Sequence, residues 1–346
     1  MLKLVSKKNG GFLLILVLGL ALILAGCNSG SADKAENNAD KPKTEEKQEQ
    51  AVEFPTKKLT IVIPYGSGGG TDQVARMLAG IMKDDFGKPI ICVNKTGGGG
   101  AVGLQYTADA EPDGHTIVLT TSNISTVKIT GNSELTYKDF EPIIGVNFDS
   151  PALVVRSDSP WKTAEEFIAY AKENKVSIGT GSPGGLWHVG VIKLQKETEA
   201  KFNIVPSTTG GAKASVRLMG GHVDAIAIPP NEAMNGLESG EFRMLATMTP
   251  ERVEAFPDIP TFKDLGYDVN IRSVRGFLAP KGTPSEIIKI LHDKIKKAVE
   301  DQRYVDFIQK KASNIFYMNT AEYKKYLDQE LKDYTQLIKD AGLAKE

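Results

Sequence analysis

From Leu59 onward, short apolar runs alternate with segments whose apolar residues recur at helical spacing. Residues 59–64 read as a strand, 71–86 as a helix, 89–94 as a strand, 101–110 as a helix and 116–121 as a strand. This alternation predicts a parallel sheet covered by helices, because parallel neighbours need a crossover that a helix supplies. The first helix is the clearest: Val74, Leu78, Ile81, Met82 and Phe86 share one face, Arg76, Lys83 and Asp84 lie elsewhere, and Thr71 is the expected N-cap. A second α/β unit follows. Its strands are expected at 153–156, 177–180, 202–205 and 225–228, and its helix at 163–174 opens with Thr163 and Glu166 as a capping box. A strand near 275–279 then leads through Pro280, Gly282, Thr283 and Pro284 into a helix beginning around Ser285, where the chain is expected to return to the first unit.

Glycine changes the picture from fold to site. The chain has 34 glycines, and many are clustered where a strand hands over to a helix. The run 64–72 joins the first strand to its helix, 95–100 joins the second strand to the next helix, and 181–185 and 208–211 do the same in the second unit. Successive glycines let several backbone amides point toward one centre, and the helix that follows adds the positive end of its dipole, so such a loop suits an anion. A cleft between two α/β units has its floor at these strand ends, and the loops are expected to converge there. Charge-assisted hydrogen bonds contribute about 1.5–3 kcal/mol each, so four or five to one carboxylate could approach the roughly 8 kcal/mol of a micromolar complex. Each loop taken alone is also explained as a tight turn.

The first residues read as an address. Lys3, Lys7 and Lys8 precede an uncharged apolar stretch over 12–25, shorter than the ~20 residues a spanning helix needs, and small residues Gly26, Asn28 and Ser29 surround Cys27. Leu24, Ala25, Gly26 and Cys27 resemble a bacterial lipobox, which implies cleavage before Cys27, acylation of its thiol and anchoring on the extracytoplasmic face of the cell membrane. Residues 28–57 are Ala, Asn, Ser, Lys, Glu, Asp and Gln with almost nothing to bury, the composition of a disordered tether. The only other cysteine, Cys92, lies in an apolar run and reads as a small buried hydrophobe, so no disulfide framework is expected.

With 41% hydrophobic and 25% charged residues, the chain can build two domains with real cores. A net charge of -1 gives no basic field for nucleic acid. Gly98, Gly100 and Gly103 match a dinucleotide-binding spacing, but the following strand ends in Thr121, Ser122 and Asn123 where an acidic ribose ligand would stand. Ser67 and Ser182 each lack one glycine of a nucleophile elbow. His115, His222 and His292 stand alone and read as structural or surface residues; His188, beside Trp187, is cleft-lining or structural. No catalytic residue, metal or cofactor is expected, although an extracytoplasmic enzyme stays a competing class.

The ordered marks resemble a known family, the substrate-binding proteins of tripartite tricarboxylate transporters, also called the Bug family. They are Leu59-Thr60-Ile61-Val62-Ile63-Pro64 leading to Gly68-Gly69-Gly70-Thr71-Asp72 and Ala75-Arg76, then Asn94, then Pro112-Asp113-Gly114-His115-Thr116. Gly181-Ser182 with His188, Gly220-Gly221 before Val223-Asp224, Phe256-Pro257-Asp258-Ile259-Pro260-Thr261, Gly266-Tyr267 and Ala279-Pro280-Lys281-Gly282-Thr283-Pro284 complete the set. The resemblance covers about 58–325. It implies a two-domain, Venus-flytrap periplasmic-binding fold, with domain 1 from 58–152 plus 275–346, domain 2 from 153–274, and crossovers near 150–154 and 273–279; the amino-terminal pattern places a signal peptide at 1–26 and a lipidated tether at 27–57 before it. It also implies a monomeric receptor that binds a small di- or tricarboxylate or similar acid and serves a large and a small permease subunit; a sensory module reporting to a kinase is the alternative. Carried over position by position, the resemblance implicates Ser67, Gly68, Gly69, Gly70, Thr71 and Asp72, then Ser182, Gly184, Gly185 and His188, with Gly210 and Gly211 as a third wall. Asp72 would organise the loop rather than touch an anion. Ser207, Thr208 and Thr209 depart from the Tyr-Lys or similar pair the family often has there, as do Tyr65 and Gly66 from a common Phe and a less flexible residue. A second carboxylate could meet Arg272 or Arg275, although both read more simply as exposed surface arginines.

Overall fold

The computed structural model describes residues 53–207 and 211–345. The expected signal peptide, Cys27 and the expected tether as far as residue 52 lie outside the described residues. Phe54 to Lys57, which the sequence assigns to the tether, pack on the body: the Phe54 ring lies 4.7 Å from that of His115. The backbone amide of Thr56 donates to His115 Nε2 at 3.1 Å.

The chain runs β1 (Leu59–Ile63), α1 (Gly70–Phe86), β2 (Ile90–Asn94), α2 (Ala101–Ala108), β3 (Thr116–Thr120) and β4 (Phe140–Asp149). It continues through β5 (Ala152–Arg156), α3 (Ala164–Glu173), β6 (Val176–Thr180), α4 (Leu186–Thr198), β7 (Phe202–Pro206), α5 (Gly211–Met219), β8 (Ala225–Ile228), α6 (Pro230–Glu238) and β9 (Phe242–Thr247). The last elements are β10 (Ser273–Pro280), α7 (Ser285–Val299), α8 (Gln302–Lys310), β11 (Asn314–Met318) and α9 (Thr320–Asp340).

These strands form two mixed sheets. The first has the order β11-β4-β10-β3-β1-β2, the second β7-β6-β8-β5-β9. The expected parallel arrangement holds for β2, β1 and β3. In this sheet it fails beyond them, because β10 enters antiparallel between β3 and β4, and β11 adds antiparallel to β4; in the second sheet it holds for β7, β6 and β8 and fails at β5, which runs antiparallel to both β8 and β9. The chain passes from the first sheet to the second between Asp149 and Ala152 and returns between Thr247 and Ser273.

Local sequence explains the central elements. β1 lies between two neighbours with helices on both faces, so four of its five residues are buried and its run LTIVI is almost wholly apolar. The α1 face made by Val74, Leu78, Ile81, Met82 and Phe86 enters one core together with Leu59, Ile61, Ile63 and Leu291 of α7. Gly87 ends α1 in the left-handed region at φ 78°. Its N-cap is Gly69 rather than Thr71, whose side chain is instead drawn inward, as described below. At α3 Thr163 accepts from the Glu166 amide, but the Glu166 carboxylate reaches the amide of Lys162, so only half of the expected capping box forms.

Each sheet is covered on both faces, and α9 reaches both sets of cores. Tyr323 and Leu327 pack in the core of the first sheet with Val118 and Leu278, whereas Tyr334 packs with Leu194 and Ile271 in a core of the second. Glu330, between them, is 4% exposed and accepts hydrogen bonds from Ser122, Ser125 and Tyr326. Burial raises its carboxyl, and those three donors offset only part of the rise.

Candidate functional site

A cavity of about 520 Å³ lies where the start of α1 faces the starts of α5 and α6. Gly68, Gly69 and Gly70 line it from the first sheet's side, Gly211, Ala212, Asn231 and Glu232 from the second's. Arg275 and Asp149 line it where the chain crosses between the sheets. A larger hollow of about 610 Å³ between α4 and α9 is lined by charged side chains that pair with one another, Lys193 with Asp268 and Lys196 with Asp340. Only the first hollow has two glycine-led helix starts on its wall, the arrangement suited to an anion.

The β1–α1 loop is held by Asp72. Its carboxylate accepts from the Gly68 amide at 2.9 Å, from Asn94 Nδ2 at 2.9 Å and from Arg76 Nε at 3.0 Å. Burial alone would push this carboxyl up; the hydrogen bonds from Arg76, Gly68 and Asn94 outweigh it and hold the group below its ordinary range. Gly68 takes φ 78°, a conformation that favours glycine, to bring its amide to Asp72. The Gly69 amide donates to Gly66 O at 3.2 Å. Both amides are thus committed inside the loop. The amides of Gly70, Thr71 and Asp72 open α1, where a helix has no acceptor of its own to offer them. Ser67 is exposed on the loop beside them and does not line the cavity.

Thr71 and Arg275 are joined. Arg275 Nε donates to Thr71 Oγ1 at 3.1 Å, and Nη2 meets Asp149 Oδ2 at 2.6 Å. Asp149 also accepts from Ser313 Oγ at 2.6 Å and from the Asn231 side chain. Burial would raise the Asp149 carboxyl, but the Arg275 charge and these donors hold it below its usual range. The surface reading of the two arginines is therefore corrected. Arg275 is 7% exposed, because it neutralises a carboxylate in the floor between the sheets. Arg272 is half-buried, with its guanidinium 5.1 Å from the Phe316 ring centroid and 5.6 Å from that of Tyr326.

On the opposite wall the amides of Gly211 and Ala212 donate to the carboxylate of Glu232. The fit is close, since a Cβ at Gly211 would collide with that carboxylate. Burial drives Glu232 up to about 7, Asp149 adds to the rise, and Arg275 with the two amides opposes it. Nothing local in the sequence marks Glu232, Asp149 or Asn231 as neighbours of a glycine loop. The signal that could have found Arg275 is its position in a wholly buried strand of eight residues, where a charge requires a partner.

The other expected loops do not reach this cavity. In the segment 97–100 all four glycines take positive φ, and Gly103 packs where a Cβ would stand 2.8 Å from Pro64 Cα; close backbone approach accounts for this run. In the α4 loop the Gly184 amide donates to His188 Nδ1 at 2.9 Å, and the Gly185 amide donates to Ser182 O at 2.9 Å. Ser182, Gly184, Gly185 and His188 form a closed turn of their own, and burial lowers the His188 ring's proton affinity. Gly210 lies outside the described residues. His115 is 6% exposed and structural, and Cys92 is half-buried against the core of α1 with its thiol pushed up by burial.

Among the described residues no group of His, Cys, Asp and Glu could hold a metal ion. Comparison with known proteins adds the lineage. The family described as tripartite tricarboxylate transporter family receptor matches residues 74–343. The UPF0065 protein in gbd 5′region of Cupriavidus necator is 35% identical over 304 residues, 86% of this chain and 91% of that protein. Among solved structures, a TctC solute binding protein from Polaromonas is 32% identical with a TM-score of 0.74, covering 83% of this chain and all of the other. The periplasmic binding protein BugD is 27% identical with a TM-score of 0.72, covering 85% of this chain and all of its own.

Proposed function

This chain belongs to the tripartite tricarboxylate transporter family of receptors, and we propose that it captures a small organic acid in the cavity between its two sheets and delivers it to the transporter's membrane permease. One observation carries the reading. The amides of Gly211 and Ala212 already hold a carboxylate, that of Glu232, on a wall that faces the free amides at the start of α1. A geometry that holds one carboxylate through backbone donors suits another of the same chemistry.

In this reading 58–152 with 275–346 and 153–274 act as two lobes that close on the acid about the crossings near Asp149 and Ser273. Gly70 and Thr71 supply the amides of one lobe, with Ser67, Gly68, Gly69 and Asp72 shaping their loop; Gly211 and Ala212 supply those of the other, and Gly210, which precedes them in the chain, is kept as a candidate ligand residue. Ser182, Gly184, Gly185 and His188 approach the acid only when the lobes close. The protein is a monomeric receptor rather than an enzyme, lipid-anchored through Cys27 outside the cytoplasm, and its partners are a large and a small permease subunit.

A thermal-shift panel of di- and tricarboxylates, aromatic acids, acidic amino acids and neutral controls tests the proposal. An acid at a hundred times its dissociation constant should stabilise the fold by about 2.7 kcal/mol. No shift with any acid would overturn carboxylate capture.

A further inference from the structure

We infer that Glu232 determines the form in which the acid is taken: a carboxylate enters this cavity together with one proton, which Glu232 accepts. The inference rests on the carboxylate reading of the cavity and deepens it. Arg275, the buried cation of the site, is already matched by Asp149 at 2.6 Å and by Thr71, so it has no whole charge to spare for a ligand. Glu232 adds a second carboxylate on the same wall, held by the Gly211 and Ala212 amides that an incoming acid would also seek. A ligand carboxylate would be the third in about 520 Å³. Like charges that share a site force a proton onto one of them, and Glu232 is the member whose carboxyl burial and Asp149 raise to about 7. Once protonated, it can release the two amides to the ligand.

From β4 and β10 the facing groups are Asp149 and Arg275, and after α8 Lys311 stands half-buried on the cavity wall. Tyr304 of α8, buried near Arg275 and Asp149, has its hydroxyl pushed further from ionisation. On α5 Lys213 is exposed and Arg217 Nη1 donates to Pro206 O at 3.3 Å; on β9 Arg243 is bonded to the carbonyls of Trp161 and Ser157. On α1 Asp72 is paired with Arg76. The binding step balances as ligand carboxylate plus Glu232 carboxylate plus one proton from solution, giving a bound anion beside a neutral Glu232.

Calorimetric titration of the whole protein with L-malate and with tartrate, at pH 7 in two buffers of different ionisation enthalpy, counts that proton without any variant. With Glu232 half ionised near pH 7, uptake should be about 0.5 proton per acid, and affinity should fall about tenfold between pH 6 and pH 8. Glu232→Gln, which keeps an acceptor for the two amides, should bind without proton uptake and with a flat profile over this range. Binding with no proton uptake in the natural protein, or the same pH profile in Glu232→Gln, would overturn the role of Glu232 alone. No binding of these or any other acid of the panel at any pH would overturn it together with the carboxylate reading.

Discussion

Asp149 and Arg275 flank the two passages of the chain between its sheets, and their side chains meet there in a buried ion pair, Oδ2 to Nη2 at 2.6 Å. One closes β4 before the first crossing, the other stands three residues into β10 after the return. The pair therefore joins the strands about which the two halves would move, and through Thr71 it also reaches the helix start of the proposed site.

Removing one partner should be far worse than removing both. Arg275→Met leaves a buried, unpaired carboxylate and should lower the unfolding free energy by ~3–5 kcal/mol, measured by urea denaturation. A double change to Asp149→Leu with Arg275→Met should be clearly less damaging than the sum of the singles. Additive losses would show that the two groups do not act as a unit. Because the Asp149 carboxyl is held low in the fold, its contribution is present above its unfolded pKa near ~4 and is lost as pH falls through the lower folded value.

Glu232 has the opposite sign. Its folded carboxyl is raised from 4.5 to about 7, so the folded state binds the proton more tightly and stability declines as pH rises between those values. Glu232→Gln should be more stable than the natural protein at pH 8, by on the order of 2–3 kcal/mol, and close to it at pH 4. Equal stabilities at both pH values would show that burial does not strain this carboxyl.

Two glycines of the first loop should behave differently. A Cβ at Gly70 would stand 2.9 Å from Arg275 Nη2, and that guanidinium is fixed by Asp149 and Thr71. Gly70→Ala should cost ~1–3 kcal/mol of stability and weaken acid binding. At Gly66 nothing lies within 4 Å of the added carbon, and Gly66→Ala should stay within about 0.5 kcal/mol. Thermal melts of the two variants side by side check both, and equal losses would contradict the packing described.

The α9 brace offers a further check. Glu330→Ala strands the buried donors of Ser122, Ser125 and Tyr326 and should destabilise by ~1–3 kcal/mol, read from the denaturation midpoint. A neutral outcome would mean that water replaces the carboxylate freely.

For the amino terminus, Cys27→Ser should move the protein from the membrane to the soluble fraction. Retention on the membrane would favour an uncleaved apolar segment as the anchor.

The sequence carried the strands, helices and loops whose cause is local. Apolar runs such as 59–63 and the face of α1 need only neighbouring residues to be read, and the Asp72 bonds to Gly68 and Arg76 span four positions. β4 was hidden because Pro142 and Gly145 interrupt its apolar run, and β11 because its five residues alternate on a sheet edge. The mixed sheet and the site's charged floor come from contacts far apart in the chain: Asp149 and Arg275 are separated by 126 positions, and no periodicity encodes their pairing. Glycine clustering alone did not separate cradles from close packing. In 97–100 the glycines serve positive φ and tight contact, whereas Gly70 and Gly211 open helices onto the cavity.

The most direct test follows the backbone amides themselves. In a two-dimensional 15N NMR titration with a saturating acid from the panel, the account predicts that the largest shifts fall on Gly70, Thr71, Gly211 and Ala212. A bound acid whose shifts instead cluster around Lys193, Lys196 and Asp333, in the hollow between α4 and α9, would contradict it.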